Sequence, residues 1–567
     1  MTKNHILPDL HLTPMSEKLQ LNQHYIYLYL GLIFFAGYWF WGYDGITFSD
    51  DVSYIIFGQK FWEGTPVISG DNFTFRWGAY LLSGLITYLL GLDDHLASLS
   101  SFVYYSATLL LIWSILPKRS YKIWFTLFFV TNIYLLHFLP KVYPDSALVF
   151  WAALIPYSAF YRHNRPIESA LFMALAFFVG FCTKETIIYL APFPLLLWIF
   201  DFRENKPKTF YYYFSGFIVL LVLFYLGYFY WKFDNPFYRF QSIQEGHYIS
   251  PYSYFDKGWG KMLERLTFVP ITTFIERAYW VWIILSVPSL VRAFKTKKEL
   301  PMIFALASIC LILGFWFLTT SLSYYNPLHL NPRHLIILLP FLSVNIALES
   351  SRWQGHYFWN RFCALWIVFG GFVAFALLDW KMGCYYFLFG AVLFFLNKSK
   401  RFYSIIVLLL IPVIAAVYYQ KSLKNYPHFQ REFISLLNNC DPQQSPLISH
   451  DFVCSSQEII TGKMDLKNRA LSFNELQEKA ETPGQFTLFL YKYSQHAYPD
   501  EADLLVQVST FASQHHFVQT ETLEDPWLKI IRFKKVDPLS PSTYNEYAIN
   551  VEPDAELLTE AVITAPP

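Results

Sequence analysis

Long apolar runs separated by short polar connections set the pattern of the first 420 residues. The first run, residues 25–42, is about eighteen residues without a charge, enough for one helical membrane crossing. Further runs lie near 97–116, 121–139, 146–161, 167–182, 186–200, 210–231, 278–293, 301–319, 334–349, 362–378, 384–397 and 402–420. The pattern therefore predicts an all-α polytopic membrane protein of about thirteen transmembrane helices over residues 25–420. The run at 79–91 is too short to span and reads as a helix lying at the membrane interface. From Lys421 the pattern turns polar and mixed. Strand-like runs at 486–491, 504–508 and 528–533 alternate with helical stretches near 427–438 and 473–481, so residues 421–535 read as a small soluble α/β domain. Residues 536–567, rich in Pro, Ser, Glu and Asp, read as a disordered tail. No internal repeat is visible.

Composition agrees with the membrane reading. Of 567 residues, 54% are hydrophobic and only 15% charged, against about a quarter charged in ordinary soluble chains. The net charge of +1 supplies no global basic field for nucleic acid. Four cysteines (Cys182, Cys310, Cys363, Cys384) lie in or beside apolar runs and read as small core residues. Cys440 and Cys454 lie in the polar C-terminal part, where a disulfide would fit an exported domain. No spacing points to zinc.

Basic connections fix the expected orientation. Lys118-Arg119-Lys122, Arg162-Arg165, Arg203-Lys206-Lys208, Arg292-Lys295-Lys297-Lys298 and Lys398-Lys400-Arg401 fall in alternate connections, as cytoplasmic loops do. Residues 1–24 are then cytoplasmic, and the first run serves as an uncleaved signal anchor. The first outward loop (43–96), the turn at Asp145, the loops 232–277 and 320–333, and everything after about 420 lie on the opposite side.

Chemistry-bearing residues gather on that opposite side. Asp50-Asp51 follow the first span, and paired acids beside a bilayer are costly unless solvated, paired or used. Their loop is dense in aromatics, places Tyr54 one helical turn after Asp50, and ends in Arg76, where a cation could meet a lipid-linked phosphate. Asp145 opens a span, either as a helix N-cap or as a cap that also serves a site. Lys184-Glu185 read either as an interfacial ion pair or as part of the same cluster. Arg333-His334 open a later span, either as a snorkelling anchor or as site residues. Ionisable groups from several spans on one face are the expected form of a site for a charged lipid headgroup.

These motifs resemble a known family. Asp50-Asp51-x-x-Tyr54 after span one, Pro144-Asp145-Ser146, Thr183-Lys184-Glu185-Thr186 and Arg333-His334-Leu335 occur in the order found in lipid-phosphate-sugar-dependent glycosyltransferases of the C-type fold. Within these the chain is most similar to the protein mannosyltransferase and aminoarabinose (lipid A) transferase group, over roughly residues 25–420. The resemblance implies transfer of a sugar from a polyprenyl-phosphate donor to an acceptor hydroxyl on a lipid, glycan or protein, with inversion. It implies Asp50 as catalytic base, with Asp51 and Asp145 as further catalytic acids. It also implies Arg76, Lys184 and Arg333 as donor-phosphate contacts and Tyr54 and His334 as substrate contacts. No cofactor is implied, although Asp51 and Asp145 leave a place for a divalent ion. Two departures stand out: the usual Asp-Glu pair is Asp-Asp, and Arg76 precedes Trp77-Gly78 where the family has two prolines after a lysine. The resemblance implies a multi-pass protein of the bacterial inner membrane. A polytopic transporter or flippase is the alternative, but its usual signs, inverted repeats and mid-membrane charges, are not visible.

Overall fold

The computed structural model describes residues 15–68, 72–245, 254, 256–296, 298–319, 321, 324–479 and 482–536. The expected disordered tail lies, from residue 537, outside them. The chain divides into two compact units, 1–422 and 423–567.

The first unit is helical. Among the described residues of the whole chain, seven helices are long and apolar enough to cross a membrane, or eight if the bent pair Val269–Glu276 and Trp280–Thr296 is one span. Four shorter apolar helices, Tyr25–Trp41, Trp77–Leu90, Pro332–Leu348 and Trp380–Phe395, accompany them. The chain is therefore a multi-pass membrane protein, with fewer full-length spans than the thirteen apolar runs predict. One reason is local. The run 121–139 is broken at Thr131-Asn132, where Asn132 accepts hydrogen bonds from the amides of Tyr134 and Leu135 and starts a new helix, Ile133–Phe138. The bent pair turns by 116° around Ala278, which sits in the left-handed region at φ 57°.

Proline sets several helix starts, standing within the first two residues of Pro144–Tyr161, Pro166–Thr183, Pro192–Arg203 and Pro332–Leu335. Pro144–Tyr161 is buried along most of its length and packs against Leu99–Ile115 and Pro166–Thr183. Its Asp145 is in the first turn, while Tyr143 is the cap residue, so Asp145 is not itself the N-cap.

After α1 (Met15–Trp41) the chain forms α2 (Asp50–Trp62) and α3 (Trp77–Leu90), which cross at Gly58 and Gly84. A Cβ at Gly84 would overlap the Gly58 backbone, so only glycine permits this approach. The crossing brings Tyr54 of α2 against Arg76, the residue that precedes α3.

The second unit holds helices Tyr426–Asn439, Asp451–Thr461 and Leu504–Gln514 and a four-stranded sheet. The strands β1 (Leu447–Ser449), β2 (Gln485–Tyr491), β3 (Phe517–Glu524) and β4 (Leu528–Lys535) run in the order β1-β2-β4-β3. The β1–β2 pair is parallel and the other pairs are antiparallel. The run 504–508 is a helix, not a strand. It buries Leu504, Val508 and Phe511, a helical spacing that carries its apolar face under the sheet. Cys440 and Cys454 are free thiols, directed to the carbonyl oxygens of Leu437 and Ser449 respectively, so the disulfide is not formed. Cys384, expected in a core, is exposed.

Candidate active site

The turn before α2 is built around Asp51. Its carboxylate accepts hydrogen bonds from the Thr47 amide (2.6 Å), the Thr47 hydroxyl (2.7 Å) and the Ser49 amide (3.1 Å), and the residue is 1% exposed. Thr47 in turn meets the Tyr143 hydroxyl at 2.6 Å. A buried carboxylate that satisfies backbone donors stabilises the turn it closes. This arrangement leaves Asp50 as the acid of the pair that faces outward, with its side chain 26% exposed.

Asp50 meets a cation from another part of the chain. Arg333 Nη1 donates to Asp50 Oδ2 at 3.1 Å, and Arg333 Nε lies 3.5 Å from Asp145 Oδ2. The Arg333 guanidinium stands over the Tyr143 ring, 4.7 Å from its centroid. Lys184 Nζ donates to Asp145 Oδ1 at 2.6 Å, with both side chains almost fully buried. Burial, with Arg333 nearby, holds the Lys184 ammonium below the usual lysine range, against the opposite pull of Asp145. Two acids and two bases thus form one neutral cluster: Asp50, Asp145, Arg333 and Lys184. The Lys184-Glu185 pair of the sequence reading is not a pair, since Lys184 turns to Asp145 and Glu185 turns to arginines.

A second cluster adjoins the first through Tyr54. Arg76 Nη1 donates to the Tyr54 hydroxyl at 3.1 Å, and Arg76 Nη2 donates to Glu185 Oε2 at 2.8 Å. Arg239 Nη2 donates to the other oxygen, Glu185 Oε1, at 2.6 Å. One carboxylate and two guanidiniums leave this cluster one positive charge in excess. Arg239 comes from the 232–277 loop and was not legible as a site residue. Its only signal was a lone arginine between aromatics, Tyr238 and Phe240.

His334 lies beside Arg333, its Nδ1 2.9 Å from the His329 carbonyl oxygen. That contact requires the proton on Nδ1 and leaves Nε2 as an acceptor in the neutral ring. Among the described residues no group of three or more His, Cys, Asp or Glu side chains is placed to hold a metal ion. Asp51 and Asp145, where the sequence left a place for one, are occupied by backbone donors and by Lys184. An apolar groove of about 830 Å³ runs between helices Pro166–Thr183, Pro192–Arg203 and Thr209–Phe233, lined by Phe177, Phe181, Ile188, Leu195, Trp198 and Tyr225. Phe181 and Tyr225 of this lining also touch Arg239.

No protein-family model and no curated protein matches the chain. Two solved structures resemble it over most of its length. The crystal structure of ArnT from Cupriavidus metallidurans in the apo state aligns with a TM-score of 0.52 at 12% identity, covering 91% of this chain and 98% of that one. The structure of the same protein bound to undecaprenyl phosphate aligns with a TM-score of 0.54 at 11% identity, covering 92% and 98%. This likeness, together with the apolar helices, identifies the architecture as that of ArnT, the C-type glycosyltransferase fold.

Proposed function

We propose that the chain is an integral membrane glycosyltransferase that moves a sugar from a polyprenyl-phosphate donor to an acceptor hydroxyl, with inversion. The observation that carries this reading is the partly exposed Asp50 held by Arg333, together with an apolar groove whose Phe181 and Tyr225 contact Arg239 of the neighbouring cation cluster. Its background is a fold shared with a protein crystallised with undecaprenyl phosphate.

In this reading the polyprenyl chain lies in the apolar groove and its phosphate meets Arg76, with Lys184 and Arg333 nearby. Asp50 takes the proton of the acceptor hydroxyl. The hydroxyl oxygen bonds to the anomeric carbon as the bond from that carbon to the phosphate oxygen breaks. The departing polyprenyl phosphate gains negative charge, which the cations stabilise. Attack from the face opposite the leaving group inverts the anomeric centre. Arg333 holds the Asp50 carboxylate while the acceptor is absent, and Asp51 holds the turn that presents it. Tyr54 aligns Arg76, and His334 Nε2 accepts from a sugar or acceptor hydroxyl. No resident cofactor takes part.

In this reading the N-terminus is cytoplasmic and residues 423–536 lie on the far side of a bacterial inner membrane, a reading that the alternating basic connections support. The acceptor, in this reading, is an envelope lipid, glycan or protein reached from that side.

Membranes carrying Arg76→Ala test the donor assignment. Arg76 contacts the phosphate in the ground state and holds it more strongly as negative charge develops on the departing group, so donor affinity and turnover should both fall. Unchanged donor affinity would remove Arg76 from the phosphate site.

A further inference from the structure

Two arginines share the Glu185 carboxylate, and their surroundings differ. Arg239 is locked. Its side chain is 1% exposed, and besides Glu185 its guanidinium donates to the Phe181 carbonyl (3.1 Å), the Tyr225 hydroxyl (3.0 Å) and Asn72 Oδ1 (3.3 Å). It also lies over the Phe181 ring, 4.8 Å from the centroid. Arg76 is looser. Its side chain is 14% exposed, and among the described residues its remaining partners are the Tyr54 hydroxyl and the Phe73 ring. Each arginine holds one oxygen of Glu185 at close range.

Glu185 is partly exposed, its side chain 23% accessible, and a carboxylate so largely shielded from water favours a nearby cation. With Arg76 as its only partner, Glu185 would hold that arginine and compete with any incoming phosphate. With Arg239 fixed on the other oxygen, Arg76 can leave and Glu185 stays neutralised. We propose that Arg239 is a positioning residue. It keeps Glu185 paired so that Arg76 can exchange that carboxylate for the phosphate of a polyprenyl-phosphate ligand. This inference rests on the donor-binding reading above and adds to it a residue that does not touch the ligand.

The test is equilibrium binding of undecaprenyl phosphate to the full chain in nanodiscs, with a polyprenol lacking the phosphate as the control. Arg239→Gln should weaken undecaprenyl phosphate about tenfold or more, because only the small fraction of molecules with Arg76 released is competent to bind. The control polyprenol should bind all variants alike. Adding Glu185→Gln to Arg239→Gln removes the competing carboxylate and should return the affinity to within about threefold of the wild type. A merely structural role would predict no such rescue. Arg239→Lys keeps the cation beside Glu185 and should also stay within about threefold, which keeps the test open if Arg239→Gln does not accumulate. The inference is overturned if Arg239→Gln binds like the wild type, if the double variant is as weak as the single, or if Arg239→Lys loses as much as Arg239→Gln. A wild-type protein that does not prefer undecaprenyl phosphate over polyprenol would instead overturn the donor reading itself.

Discussion

Removing Asp145 should destabilise the helical unit more than removing its partner Lys184. The pair is joined at 2.6 Å, with side chains 3% and 6% exposed. Asp145→Asn leaves a buried ammonium with no other carboxylate in ion-pair range among the described residues, and it leaves Arg333 facing that ammonium. Breaking one side of a buried pair in this way costs about 3–5 kcal/mol. Lys184→Met leaves Asp145 beside Arg333 at 3.5 Å, so the carboxylate keeps a cation. The cost is then that of one lost hydrogen bond to a buried acceptor, about 1–3 kcal/mol. The double change Asp145→Leu with Lys184→Met removes both charges and should recover most of the loss, since apolar replacement of a whole buried pair is often close to neutral. Thermal unfolding of purified protein in one detergent, read by intrinsic fluorescence at one scan rate, gives the ranking even where unfolding is irreversible. The expected order of midpoints is wild type, then the double variant, then Lys184→Met, then Asp145→Asn. Equal losses from the two single variants, or a double variant less stable than either, would refute the assignment of Asp145 as the acid shared by two cations.

Gly84→Ala should lower both stability and activity, because its methyl group meets the Gly58 backbone and forces α2 and α3 apart, with an overpacking cost of about 1–3 kcal/mol. An unaffected melting midpoint would contradict the close crossing. In the C-terminal unit, burial holds His450, stacked on Phe452, down to about 4 from its ordinary value of 6.5. A depressed histidine binds fewer protons folded than unfolded, so its contribution is complete above 6.5 and is lost as pH falls toward 4. Between pH 7 and pH 5 the loss should be about 2 kcal/mol. Urea-dependent proteolysis within residues 423–536 of the full chain measures it, and His450→Leu should flatten the dependence; an equal slope in that variant would refute the account. A reporter fused near residue 430 should be active only outside the cytoplasm, and a cytoplasmic signal would overturn the proposed orientation.

Much of this architecture was legible in the sequence because hydrophobic patterning is physically direct. An apolar run of membrane length can only be buried as a helix, and Asp50 and Tyr54 share a helix face because they are four residues apart in α2. The gathering of Asp50, Asp145, Lys184 and Arg333 was accessible for a similar reason. Charges at the ends of spans are confined to one of two faces, and those assigned to one face by the basic connections had few places to go. Local breaks were not legible. Nothing in the apolar run 121–139 outweighs its hydrophobicity, yet Asn132 satisfies two amides and interrupts it. Leu504 to Val508 is apolar at four of five positions, too short a window to separate period two from period 3.6. The pairing of Glu185 was hidden as well. Its neighbour in sequence is Lys184, but backbone geometry sends the two side chains to different clusters, and Arg239 arrives from a loop whose path no periodicity encodes.

The central claim is that Asp50 is the base of a sugar transfer from a polyprenyl-phosphate donor. Its direct test is the rate of that transfer in membranes carrying equal amounts of wild type and Asp50→Asn. Asparagine keeps the size of the side chain and loses the ability to take a proton, and general-base catalysis contributes about a hundred- to ten-thousand-fold. The account predicts a loss of that order with donor binding retained. Transfer by Asp50→Asn at the wild-type rate would contradict it, because Asp51, the one adjacent acid, is bound to the backbone of its own turn.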